Sequence, residues 1–334
     1  MLMIAGAVVA AGWFLFESPP PILANPPMIT VAHGESFSKV ARQLSEGGVV
    51  RNRWTFIVYA ELTGQARMVK PGDYSFRGGE SMAAVLGHLV RGDSIVVVVT
   101  IPEGITVRQI AERLAASGLV CQSDFERAAR DGPLIEAVGL GSKGAEGFLF
   151  PATYRFSPRA KTDEVLAAML QRFYATLTPQ VEQRLFDLNL TAREMVTLAS
   201  IVEKEAKEPG ERPLIASVFY NRLRLGMPLQ SDPTAEYNPD GFDGTRTPVV
   251  AAVHTPSAFN TYAFAGLPPG PIANPGRPSI MAALYPAHSD YLYFVARADG
   301  THIFSRTFAE HERAIASVRR AANHAGVIAA RRAN

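Results

Sequence analysis

Two glutamates stand two positions apart in the run 198-LASIVEKEAKEPGERP-213, directly after an apolar stretch. Glu203 and Glu205 are the side chains best suited to acid–base chemistry. A carboxyl group set against apolar neighbours keeps its proton to higher pH and can then give it to a leaving group. The same run holds four carboxylates and two lysines, so a solvated helix end is the competing reading. Lys204 with Glu208, and Glu203 with Lys207, have the i,i+4 spacing of surface ion pairs worth ~0.2–0.5 kcal/mol each. At ~100° per residue, Glu203 lies roughly 80° to one side of the apolar centre at Met195 and Glu205 about 80° to the other. Periodicity therefore leaves both open.

Several elements must position these carboxylates. Thr191 followed by Glu194 forms a capping box that starts the helix, and Met195, Leu198, Ala199, Val202 and Ala206 give it an apolar face. Pro209-Gly210 stops it, and a second helix runs from about Arg212 to Leu225. The stretch 230-QSDPTAEY-237 is rich in turn formers, and 259-FNTYAFAGLPPGPIANPG-276 is dense in Gly, Pro and Asn. Long ordered loops of this kind line functional clefts, and proline lowers the entropy lost in ordering them. Gln230, Asp232, Thr234, Asn260, Thr261 and Tyr262 are candidates for ligand contact or for hydrogen bonds within the loops, and Asp232 also for orienting a catalytic group. The segments 291-YLYFVA-296 and 301-THIFS-305 form a hairpin, and Phe308 to Arg332 a closing helix with His311-Glu312-Arg313 on its surface.

The first half contains a duplication. Residues 29-ITVAHGESFSKVARQLSEGGVV-50 align without gaps to 99-VTIPEGITVRQIAERLAASGLV-120, with six identities at an offset of seventy. Each copy is a short strand, a tight turn at Gly34 or Gly104, and an amphipathic helix capped by Ser36 or Thr106 and ended at Gly48 or Gly118. The copies close on 70-KPGDYSF-76 and 150-FPATYRF-156, turn-then-strand signals that make two strand–helix–helix–strand units. The first unit resembles a LysM module in its Gly turn, helix pair and KPG turn. LysM modules bind N-acetylglucosamine polymers.

Met1 to Phe16 carries no charge, and Glu17-Ser18 followed by three prolines breaks the run. Sixteen residues reach about 24 Å as a helix, slightly short of a ~30 Å hydrocarbon core. A single membrane anchor at 1–17 with a stiff proline-rich linker at 18–27 is expected, in preference to a cleaved signal peptide. The remaining organisation is an α+β fold with a LysM-like unit at 28–97, a second related unit at 98–180 and a mixed helix/strand catalytic domain at 181–334.

Composition narrows the function. The 334 residues are 47% hydrophobic and 19% charged with a net charge of +2, a folded chain with no basic, aromatic-interleaved patch for nucleic acid. The single cysteine, Cys121, rules out an intrachain disulfide and is expected to be a small buried hydrophobe. The histidines have no metal-ligand spacing, and there is no phosphate-binding glycine loop and no serine elbow.

The segments ASIVEKEA, NRL with GMPLQSDPT, NTY with GLPPGPIANPG, YLYFVA with GTHIF, and EGFLFPATY (Glu146 to Tyr154) occur together in this order. They resemble the endolytic murein transglycosylase, or YceG-like, family over nearly the whole chain. The resemblance implies a lytic transglycosylase that cuts the MurNAc–GlcNAc bond of nascent peptidoglycan strands with formation of 1,6-anhydroMurNAc. It places the catalytic glutamate at Glu203, although Ala206 stands where the family motif often has Thr; Glu205 is the runner-up acid or a structural ion-pair member. His302 and Glu146 fall in family motifs without an assigned role. The resemblance further implies no cofactor, a bacterial inner-membrane anchor with the body on the periplasmic side, and the cell-wall synthesis machinery as partner. Two other readings stay open: a hydrolytic muramidase using a second carboxylate, Asp232 or Glu236, and a non-enzymatic peptidoglycan-binding scaffold.

Overall fold

The repeat is visible in the backbone of the computed structural model, which describes residues 20–140, 144–238 and 249–332. The first copy is β1 (Met28–Val31), α1 (Phe37–Glu46), α2 (Arg53–Leu62) and β2 (Gly72–Ser75), followed by α3 (Met82–Arg91). The second is β3 (Val97–Thr100), α4 (Val107–Ala116), α5 (Gln122–Asp131), the short α6 (Pro133–Ala137) and β4 (Thr153–Phe156). Helix α1 buries Val40, Ala41 and Leu44, and α4 buries their counterparts Ile110, Ala111 and Leu114. Gly34 and Gly104 share φ near +75°, and Gly48 and Gly118 share φ near +72°, left-handed turns that a side chain would strain. Even the closing tyrosines match: Tyr74 donates to the Lys70 carbonyl at 2.8 Å and Tyr154 to the Phe150 carbonyl at 2.5 Å. Besides the extra α6, the capping chemistry differs. Thr106 and Gln109 complete a capping box, whereas the Ser36 side chain makes no cap bond.

Compactness divides the chain into two units: residues to Val98 with Arg155–Ala160, and Val99–Tyr154 with Lys161 onward. In the first, β1 and β2 pair antiparallel with Met28 opposite Ser75, over a core of Val40, Leu44, Phe56, Tyr74, Leu86 and Leu89. Buried Asp73 accepts the Thr30 hydroxyl at 2.6 Å and also the Ser157 hydroxyl, so its charge is not left unsatisfied. In the second unit the repeat continues into α7 (Thr162–Tyr174), α8 (Pro179–Leu188), α9 (Ala192–Glu205), α10 (Arg212–Arg224), the short α11 (Asp232–Glu236) and α12 (Val249–Ala252), and α13 (Arg277–Leu284). Strands β5 (Tyr293–Ala296) and β6 (His302–Ser305) form the expected hairpin, with Tyr293 opposite Ser305, and α14 (Phe308–Arg332) closes the chain.

The capping box at Thr191 and Glu194 starts α9 as its sequence predicts. From Met195 to Val202 every residue is buried, so the helix is enclosed on all sides rather than on one face. It also ends earlier than Pro209 implies. Ala206 is extended, and Pro209–Glu211 forms a separate 3₁₀ turn. The i,i+4 pairs Lys204–Glu208 and Glu203–Lys207 therefore have no helix to support them.

Two further expectations are corrected. Cys121 is exposed, not buried, because it sits before the first turn of α5, where Ser123 and backbone amides draw its thiol pKa down. His311 is half-buried rather than exposed like its neighbours Glu312 and Arg313: its ring stacks on Tyr293 at 5.2 Å, and burial pushes its pKa down. The anchor expected at 1–17 lies outside the described residues, among which no helix is long and apolar enough to cross a membrane.

Gly147 shows how tightly the second unit is packed around α9. Its φ is +87°, and a Cβ there would lie 2.5 Å from Pro271 and 2.7 Å from Val196. Gly147→Ala combines an unfavourable dihedral with overpacking and should cost more than ~2 kcal/mol in denaturant unfolding. A loss under 0.5 kcal/mol would mean that the Pro271 loop yields freely.

Candidate active site

The two glutamates at the end of α9 meet different surroundings because two helical positions place them on different sides of one axis. Glu205 faces the segment that α10 holds. Buried Arg222 of α10 donates to the carbonyls of Pro228, Leu229 and Leu292 at 2.7–3.1 Å and to Gln230 Oε1 at 3.1 Å. Gln230 takes a left-handed φ of +52°, held by Arg222 on its side chain and by its own amide donating to the Thr261 carbonyl. That turn delivers Ser231, whose hydroxyl donates to Glu205 Oε1 at 2.5 Å. Burial pushes the Glu205 carboxyl up to about 7; the Ser231 bond opposes this, and the charges of Asp232 and Glu236 add to it. A carboxyl so placed holds its proton near neutrality and can still release it.

The loops beneath this carboxyl are cross-braced. Thr234 and Thr261 share a hydroxyl–hydroxyl bond of 2.7 Å, Thr261 Oγ1 accepts the Ser231 amide at 3.1 Å, and Thr234 donates to the Ser231 carbonyl at 2.6 Å. Buried Asn260 donates to the carbonyls of Val253 and Thr255 and accepts the Tyr262 amide, each at 3.0 Å. Exposed on this frame, Tyr262 donates its phenol to Asp232 Oδ1 at 2.6 Å, and burial together with that carboxylate pushes the Tyr262 pKa up. Tyr262 therefore stays a phenol and donates to Asp232.

Glu203 is engaged differently. Its Oε1 pairs with Arg212 at 3.4 Å and its Oε2 accepts the Gly276 amide at 3.0 Å, leaving the side chain 7% exposed. Arg212 in turn donates to Ser279 at 3.0 Å. Above this pair lies the turn of the second repeat. A Cβ on Gly104 would touch Glu203 Cγ at 3.4 Å, and one on Gly276 would run into the Glu103 carboxylate. Burial first, and the Glu203 charge second, push the Glu103 carboxyl up.

Asn274, fully buried, ties this region together. It accepts the Gly104 amide at its carbonyl and the Leu149 amide at Oδ1, and its own amide and Nδ2 donate to the Ile105 carbonyl and Glu146. Glu146 also takes the Val107 amide at the start of α4 at 3.2 Å and the Tyr237 phenol at 3.4 Å. Burial pushes Glu146 up to about 7 as well. His302 makes a separate clamp, its Nδ1 2.6 Å from Glu211.

With this geometry in place, the chain can be set beside known proteins. The profile of the YceG-like family matches residues 29–317. The chain belongs to the YceG-like family. A Bacillus subtilis (strain 168) protein named endolytic murein transglycosylase is 32% identical over 305 residues, 86% of this chain and 83% of its own. A Streptococcus pneumoniae serotype 2 protein of the same name is 30% identical over 360 residues, 94% of this chain and 64% of its own. A crystal structure of a YceG-like protein from Listeria monocytogenes is 31% identical, covers 86% of this chain and 99% of that one, and superposes with a TM-score of 0.59.

In this YceG-like chain the residues singled out in the sequence fall into two sets. Thr234, Asn260 and Thr261 are buried and saturated by loop bonds, so they position backbone. Gln230, Asp232 and Tyr262 are exposed beside Glu205. Sequence reasoning missed Ser231, Arg222, Arg212 and Glu103. Ser231 and Arg222 stand inside quoted motifs, but only the folded turn at Gln230 reveals what they touch.

The buried carboxyls make stability depend on pH. A folded carboxyl pKa of about 7 against an ordinary 4.5 means that the native state binds the proton more tightly than the unfolded chain. Stability is therefore greatest below pH 4.5 as far as these groups are concerned, and falls as pH rises through about 7, by up to roughly 3 kcal/mol per group. Urea midpoints should be lower at pH 8 than at pH 6, and Glu146→Gln should narrow the difference. Equal narrowing by neither Glu146→Gln nor Glu205→Gln would refute the assignment of these protons.

Proposed function

We propose that the chain is a membrane-anchored lytic transglycosylase that cuts peptidoglycan strands internally, with Glu205 as general acid and then base. The observation that carries this reading is the Glu205 carboxyl, raised to about 7 by burial, bonded to Ser231 and bordered by exposed Gln230, Asp232 and Tyr262. The names of the Bacillus and Streptococcus relatives supply the substrate class and the reaction.

Protonated Glu205 gives its proton to the oxygen leaving the muramic-acid C1, and oxocarbenium-like charge develops at that carbon. The Asp232 carboxylate, kept in place by Tyr262, stabilises that charge. The Glu205 carboxylate then takes the proton of the sugar's own 6-hydroxyl as its oxygen bonds to C1. One glycosidic bond breaks, one intramolecular ether forms, no water is consumed, and Glu205 is protonated again. Chain anchoring by residues 1–17 would hold this site at the outer face of the inner membrane, where nascent strands and the synthesis machinery meet.

Glu203 remains as a second reading, carried by the sequence resemblance and by Glu103 facing it. Its oxygens meet Arg212 at 3.4 Å and the Gly276 amide at 3.0 Å, contacts that fix the α9–α13 corner and would equally hold a general acid in place. A hydrolytic muramidase would instead use Asp232 to activate water.

Purified glycan strands with mass analysis of the products separate these readings. Glu205→Gln should reduce cleavage at least ~100-fold, as loss of a general acid does, whereas Glu203→Gln should cost under tenfold and weaken the fold. The reverse order would return the acid to Glu203. Ends one water lighter than reducing sugars are expected; reducing ends would establish hydrolysis through Asp232. Wild-type cleavage should decline as pH rises through about 7, following the Glu205 proton.

A further inference from the structure

Helix α2 turns an apolar stripe outward. It buries Phe56 and Ala60 on one side, while Trp54, Val58 and Leu62, spaced four apart along the opposite side, are 61%, 49% and 80% exposed. Met68 just beyond the helix is 57% exposed. Soluble surfaces rarely leave such a line uncovered without a partner for it. The Arg53 guanidinium lies 4.6 Å over the Trp54 ring, joining an apolar body to a cation, the combination favoured at the lipid–water boundary. Arg53 and Arg67 are exposed around the stripe with Arg51 before the helix, and Glu61 is the acidic residue on the helix itself.

The chain path brings this unit to the bilayer. Gly79 donates to the Pro20 carbonyl at 3.0 Å, Leu23 donates to the Arg77 carbonyl at 2.7 Å, and Ile22 bridges Gly78, so the segment is fastened to the unit from Pro20 onward. Phe16, the last residue of the uncharged run, is four positions before Pro20. Four residues span at most ~14 Å. If the run enters the hydrocarbon, Pro20 lies in or just above the headgroup layer, which is ~5–8 Å deep. The fastened segment adds an exposed apolar residue of its own, Ile22, 80% exposed, and the stripe is tied to the following helix through Thr55, whose hydroxyl donates to the Met82 sulfur at 3.9 Å.

We infer that the α2 stripe of Trp54, Val58 and Leu62 is a second membrane contact that lays the first unit on an anionic lipid surface; this rests on the anchor reading above. Lipid fits better than a second copy of the chain, since a two-fold pairing of this face would bring Arg51, Arg53 and Arg67 against their own copies. Beyond Trp54 the stripe is aliphatic and offers sugar hydroxyls no partner. Each arginine near an anionic surface adds attraction.

The chain has two tryptophans, Trp13 and Trp54, so Trp13→Phe makes Trp54 the sole reporter. The full-length variant is reconstituted into vesicles of phosphatidylcholine and phosphatidylglycerol, with or without chain-brominated lipid. Trp54 emission should be quenched by roughly a third or more by brominated chains and become less open to acrylamide. Phosphatidylcholine alone should weaken both effects, and Val58→Asp with Leu62→Asp, both at exposed positions, should abolish them. If the protein floats with vesicles but Trp54 stays bright and open to acrylamide, the inference falls and the anchor stands. Failure to float removes both. Shielding from acrylamide without bromine quenching would assign the stripe to a protein surface instead.

Discussion

A buried amide cannot be left with unmade hydrogen bonds, and Asn274 is the point where that constraint organises the second unit. Its carbonyl, amide and both side-chain polar atoms are all engaged, and their partners come from the repeat turn, the Leu149 segment and Glu146. Removing any one partner would strand another polar atom in the interior. The Pro/Gly-rich loop is thereby fixed at its far end, two residues before the Gly276 amide that holds Glu203. The other end of the same loop is fixed by Asn260 and Thr261. Between these ties the loop has little freedom, and its place beside α9 is set by hydrogen bonds rather than by apolar packing alone.

Two glutamates in one short motif illustrate how a local sequence can hold chemically unlike groups. Both emerge from the end of an enclosed helix. One meets a guanidinium and a backbone amide, the other a single hydroxyl and further carboxylates. Pairing satisfies the first, whereas desolvation raises the second, and desolvation is the larger effect at Glu205. The neighbouring acidic residues reinforce it, because like charge close by disfavours a second ionisation.

Much of the framework was legible from local pattern. The seventy-residue repeat predicts matching buried triplets, and Val40, Ala41 and Leu44 are answered by Ile110, Ala111 and Leu114. The Thr191 capping box and the hairpin at 293–305 form where their residues place them. Failures occur where long-range contacts decide. Helix α9 stops at Glu205 although its periodicity runs to Ala206 and its breaker stands at Pro209. Cys121 is exposed because a helix start, not a core, surrounds it. Nothing within 198–213 tells that Arg212 will pair with Glu203 or that Ser231 will reach Glu205, since both depend on how α10 and the Gln230 turn return to α9.

The two repeat turns show a last consequence. Around Gly34 no atom lies within 4 Å of where a side chain would begin, so that turn is limited only by its dihedral angle. At Gly104 the same dihedral is joined by Glu203 and Lys204 against one face and by Asn274 bonding the backbone. Duplicated sequences can thus carry unequal freedom to vary: the His33-Gly34 turn can accept insertions and exchanges over time, while its twin at Glu103-Gly104 must change in step with the end of α9.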